Sequence, residues 1–132
     1  MISKRKLANA IIYGLPILAI PLWALSYPET TFRHNLKPWF IYTSQVAGIM
    51  GFIMYSLSLV LSTRVIWIED LFGGLDKVYQ THHSIGKIAF FLILYHPIAL
   101  AARWVPQDVG KALQYAFPTH HRLAIDLGSW AT

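Results

Sequence analysis

The sequence predicts an all-α membrane protein with three full transmembrane helices and the start of a fourth. Three observations carry that prediction. Of the 132 residues, 55% are hydrophobic and only 13% charged, against about 25% charged in soluble domains, and the mean hydropathy is +0.45. Two runs, Leu7–Pro28 and Pro38–Thr63, carry no charge at all, and each is long enough to cross a hydrocarbon core of about 30 Å. A third apolar stretch, Thr81–Trp104, reads THHSIGKIAFFLILYHPIALAARW and holds histidines at its start and in its middle.

The composition also excludes. There are no cysteines, so disulfides, iron–sulfur clusters and zinc–thiolate centres are ruled out. The six histidines are the main soft metal ligands that remain. The net charge of +5 sits at the ends of apolar segments. No basic face is interleaved with polar sequence, so the charge reads as membrane-flanking and no nucleic-acid partner is expected.

In chain order, Lys4, Arg5 and Lys6 precede the first apolar run, residues 7–28, in which Pro16 and Pro21 predict kinks. The rival reading is a signal peptide ending at Ala24-Leu25-Ser26; its apolar core exceeds the usual h-region of about 7–15 residues, which favours a retained helix. Glu29–Lys37 reads as a polar loop with His34 solvated. The second helix, residues 38–63, carries Gly48 and Gly51 beside Ala47, a smooth patch suited to close helix packing; the alternative is room for a flat macrocycle. Residues 64–80 set Val65, Ile66, Trp67, Ile68, Leu71 and Phe72 against Glu69, Asp70, Asp76 and Lys77, which predicts an amphipathic, interfacial cytoplasmic loop broken at Gly73-Gly74. No phosphate-binding glycine pattern is present. The third helix, residues 81–104, closes on Arg103 and Trp104. Val105–Arg122 reads as a polar loop in which His120 and His121 are a solvated pair. The start of a fourth helix is expected from Leu123, with Asp126 near its beginning. The basic N-terminus predicts a cytoplasmic start, which puts His82 near the inner face and His96 towards the outer half.

Ionisable residues at membrane depth are costly and mark function by default. A helix turns about 100° and rises about 1.5 Å per residue. Fourteen steps from His82 bring His96 within roughly 40° of the same face, about 21 Å along the axis, whereas His83 lies roughly 140° from His96. The pair on one stripe suits two axial ligands for haem iron at two depths; the bland alternative is two histidines that only pack or hydrogen-bond. Gly86, one turn after His82, removes bulk where a ring would lie. Phe90 and Phe91 offer apolar walls, and Pro97 withdraws a backbone donor beside His96.

The run Arg64-x4-Glu69-x2-Phe72-Gly73-Gly74-Leu75-Asp76-x2-Tyr79-x2-His82-x3-Gly86-x9-His96-Pro97 resembles the ferric-reductase-like transmembrane domain, a family related to the NADPH oxidases. The resemblance covers Arg64–Trp104 closely; the first two helices fit in order and length. The family has a basic residue after the first histidine and a glycine four positions on. His83 takes the basic position, which leaves His82 as the ligand. The resemblance implies the N-terminal half of a six-helix haem-binding bundle. In it, two b haems are each held by two histidines, and electrons run from FAD and NAD(P)H on a cytoplasmic domain to an acceptor outside, ferric iron or oxygen. It further implies His82 and His96 as iron ligands, and Arg103 at an outer-haem propionate. The chain shows no second span with paired histidines and no flavin or nicotinamide fingerprint. It therefore reads as a segment that relies on further histidine-bearing helices, from its own remainder or another subunit, and on a flavin reductase domain. Residues 1–132 alone are expected to bind haem weakly or not at all. Two rivals remain: a haem b subunit passing quinol electrons to a separate periplasmic reductase, and a non-redox membrane protein whose histidines pack or bind an ion. A bacterial inner membrane is the expected location.

Overall fold

The computed structural model describes residues 4–26, 38–105 and 107–117. All regular structure among the described residues is helical: α1 (Lys4–Ser26), α2 (Pro38–Ser62), α3 (Ile66–Phe72), α4 (Leu75–Ala102) and α5 (Val109–Ala116). α1, α2 and α4 are each long and apolar enough to cross a membrane. The chain is an integral membrane protein with three candidate spans. The loop around His34, the pair His120-His121 and the expected start of a helix from Leu123 lie outside the described residues.

α1 takes the basic triplet into its first turn and continues as a helix through Pro16 and Pro21. It buries Ala8, Ile12 and Pro16, four residues apart, along one stripe. Leu7, Leu18 and Leu22 on its other faces are exposed, the surface that a bilayer covers.

The buried positions of α2 are Ile41, Ser44, Ala47, Gly51, Met54, Ser58 and Leu61. Their steps of three and four residues define one seam along the helix, the spacing of a packed helix face. Two members of the seam are serines. On α4 the buried residues Val78, Ile85, Ala89 and Ala99 follow the same rhythm, and the half-buried His82, Leu92 and His96 fall on the same stripe.

α3 ends at Gly73, whose φ of 81° is left-handed and whose N–H bonds Glu69 O at 2.9 Å. Gly74 follows with φ 128°. Two consecutive residues in this region need glycine, so the pair is a turn. The long helix then starts at once, at Leu75, six residues ahead of the start expected at Thr81. The polar residues that pointed to a loop are instead its first turns. Asp76 lies in the first turn, where a carboxylate suits the positive end of the helix dipole. At 28 residues, α4 is about 42 Å long and overshoots a hydrocarbon core of about 30 Å, so it has length to spare for charged turns outside the membrane.

α5 was not expected; it lies inside the stretch read as a polar loop. Asp108 caps it, its side chain accepting from Lys111 N at 3.0 Å.

The helices divide between two compact units. One contains α1, α3, α2 from Ile49 and α4 as far as Ile93. Its core gathers Ala8, Ile12, Leu61, Ile68, Phe72, Val78 and Ile85. The other contains α2 up to Gly48, α4 from Leu94, and α5.

Candidate functional site

In the first unit, His82 points its Nδ1 at Ser58 of α2, 2.9 Å from the backbone oxygen and 3.0 Å from Oγ. A carbonyl oxygen has no hydrogen to give, so Nδ1 carries the proton and donates. The lone pair of the neutral ring is then on Nε2. His83 is exposed and stacks on Tyr79 with an interplanar angle of 20°. The next residue on the helix is thus sent to a different side, as the 100° step requires.

In the second unit the arrangement recurs. His96 Nδ1 lies 2.8 Å from Ser44 O and 2.9 Å from Ser44 Oγ. Here the hydroxyl direction is also fixed: Ser44 Oγ donates to His96 O at 2.9 Å, so towards Nδ1 it accepts. Tyr95 adds a hydrogen bond from its hydroxyl to Thr43 Oγ1, 3.1 Å. Ser44 is fully buried, and a buried hydroxyl in an apolar setting is costly unless bonded.

The glycines explain how the rings fit. A Cβ on Gly48 would stand 2.8 Å from His96 Nδ1, so the glycine makes way for the imidazole itself. A Cβ on Gly51 would meet Ile93 N at 3.2 Å and Leu92 Cβ at 3.1 Å, which is the close packing expected of the smooth patch. Gly86 faces Ser58, with Oγ 3.4 Å from the place of a Cβ. A Cβ there would make an ordinary contact, so this side of the helix has room for a small side chain.

His82 also lines a cavity of about 410 Å³ together with Leu61, Ser62, Arg64, Leu75, Asp76, Val78 and Tyr79. Arg64 holds a backbone φ of 53°, a conformation that costs a non-glycine residue roughly 1–2 kcal/mol. Phe90 and Phe91 are exposed and meet each other edge to face at 5.6 Å. Arg103 lies in the turn after α4, its guanidinium 5.5 Å from the Trp104 ring.

No cluster of three or more His, Asp or Glu side chains forms among the described residues. Neither His82 nor His96 stands in such a cluster there. An imidazole that binds iron through Nε2 requires a protonated Nδ1 with a hydrogen-bond acceptor behind it. Both histidines meet that requirement on a serine carbonyl, so the donor set suits haem.

The signal that the sequence reading missed is the spacing of the serines. Ser44 and Ser58 are separated by the same fourteen residues as His82 and His96. In an antiparallel helix pair that coincidence allows one register to serve both.

The family model described as ferric reductase-like transmembrane component matches residues 47–132, well over half of the chain. No curated protein and no solved structure gives a significant match.

Proposed function

The chain belongs to the ferric reductase-like transmembrane component family, and from that premise we propose that it carries electrons across the bilayer through b haems ligated by His82 and His96. Membership implies haem-mediated transmembrane electron transfer in general. The finer reading takes a cytoplasmic flavin and NAD(P)H as donor and ferric iron or oxygen as the acceptor outside. The observation that carries it is the repeated clamp: two histidines fourteen residues apart on one helix, each with Nδ1 bound to a serine carbonyl.

Bound haem supplies reversible one-electron chemistry. The residues supply placement. Ser58 and Ser44 hold the rings in the tautomer that leaves Nε2 free to bind iron. The apolar seams of α2 and α4 exclude water and lower the local dielectric around them. Lys4, Arg5 and Lys6 at the start of α1 orient the N-terminus to the cytoplasm, which sets His82 towards the donor side. Arg103 is assigned to a propionate at the outer haem. The second ligand of each iron comes from helices beyond the two clamps, and a flavin reductase domain completes the path.

The test is a reduced-minus-oxidised spectrum of the protein assembled with its partner helices. A b-type signal reduced by NAD(P)H supports the reading. Reduction by quinol and not by NAD(P)H replaces the donor. Absence of any b-type signal overturns haem-mediated transfer for this chain.

A further inference from the structure

We propose that Ser44 and Ser58 are positioning residues that set the electron affinity of two haem sites independently, each through the Nδ1 of one histidine. The inference rests on the haem reading above but draws on a separate observation. Both clamps use the same two atoms of a serine. Nδ1 of His82 lies 2.9 Å from Ser58 O and 3.0 Å from Ser58 Oγ. Nδ1 of His96 lies 2.8 Å from Ser44 O and 2.9 Å from Ser44 Oγ.

A hydroxyl-bearing residue is required for this double contact, because the carbonyl and the hydroxyl belong to one residue on the helix face. In the interior of a helix a serine hydroxyl ordinarily turns back to the carbonyl one turn earlier. Ser56 does so, bonding Phe52 O at 2.9 Å. Ser44 instead spends its proton across the helix pair, on His96 O at 2.9 Å. Its oxygen is thereby left to accept from Nδ1. An Nδ1–H shared between two acceptors carries more electron density into the ring, which makes Nε2 a stronger donor and stabilises the oxidised metal.

The clamps repeat at matched intervals, since fourteen residues along α2 correspond to fourteen along α4. The serines occupy the buried seam of α2, so neither is a solvated hydroxyl that found a partner by chance. A glycine guards the second contact: Gly48 leaves room for the His96 ring.

Two measurements test this. Imidazole nitrogen shifts of the ¹⁵N-histidine-labelled full chain in detergent should show both His82 and His96 protonated at Nδ1 alone. Protonation at Nε2 on either ring overturns the clamp. Redox titration of the haem-loaded assembly should then resolve two waves. Ser58→Ala should raise the midpoint of one wave and Ser44→Ala that of the other. Ser58→Thr and Ser44→Thr, which keep the hydroxyl, should return towards the parent values. Unmoved potentials in alanine variants that retain haem overturn the inference while leaving the haem reading intact. A parent protein with no b-type spectrum overturns the haem reading, and the nitrogen shifts still decide the clamp. Those shifts are read on the unsubstituted chain, so a variant that fails to assemble does not remove the test.

Discussion

In the unit that carries His82, the glycine beside the clamp is on the histidine's own helix; in the unit that carries His96, it is on the opposite one. The consequence is a difference in slack. The Cβ position of Gly86 is 3.4 Å from Ser58 Oγ, an ordinary contact, whereas that of Gly48 is 2.8 Å from the His96 ring, closer than atoms can approach. The His96 unit is bound more tightly in other respects. Ser44 makes two hydrogen bonds through its hydroxyl where Ser58 makes one to His82, and Tyr95 ties a second residue of α4 to α2. The His82 unit instead opens onto a cavity with a cation and an acid on its wall. Two clamps built from the same atoms thus serve different surroundings. One favours a fixed ring, the other a ring with room beside it.

The largest effects should come from the ligands. His82→Ala and His96→Ala should each abolish one haem, removing about half of the b-type absorbance of the assembled protein. His83→Ala should leave it largely intact, because His83 is exposed on another side of α4. A haemochrome assay checks all three, and equal loss from His83→Ala would overturn the ligand assignment. Next come the glycines. Gly48→Val should displace the His96 ring, with an overpacking cost of about 1–3 kcal/mol and loss of that haem alone. Gly86→Ala should keep both haems and gain up to about 1 kcal/mol of helix stability. Similar damage from both substitutions, measured by denaturant unfolding in detergent together with haem content, would erase the contrast in slack. Smaller still, Ser44→Ala should cost about 1–2 kcal/mol and Ser58→Ala about 0.6 kcal/mol, following the number of interhelical bonds each hydroxyl makes; the ratio of the two unfolding shifts is the readout. Tyr95→Phe should fall at the bottom, at no more than about 0.6 kcal/mol.

Much of this was legible in the sequence, for definite reasons. Hydropathy located the three long helices, because apolar length is what a bilayer selects. The 100° step separated His82 from His83, because residue direction on a helix is fixed by the backbone. Gly73-Gly74 announced its turn, because successive positive φ angles demand glycine. Two features escaped. The start of α4 was placed late because Asp76 and Lys77 looked like loop residues; they form an adjacent ion pair at 3.2 Å on the first turn, and charge there reflects position relative to the membrane, not absence of helix. α5 was masked by its polar flanks, although Asp108 ahead of Val109–Ala116 was a readable cap. The serine clamps were the hardest to see. Whether Ser58 faces His82 depends on the register between two helices, which periodicity along one helix leaves undetermined. The matching intervals of fourteen residues were the available clue.

Arg64 carries a last consequence. It occupies a left-handed backbone conformation and is among the residues that line the cavity beside His82. Glycine would sit at that position without strain. A selection that rewarded thermal endurance alone would therefore favour Arg64→Gly and strip the cation from the wall. Any use of the cavity wall beside His82 would oppose that drift. The two pressures meet at one residue, so a library randomised at this position and sorted separately for endurance and for electron transfer should diverge there.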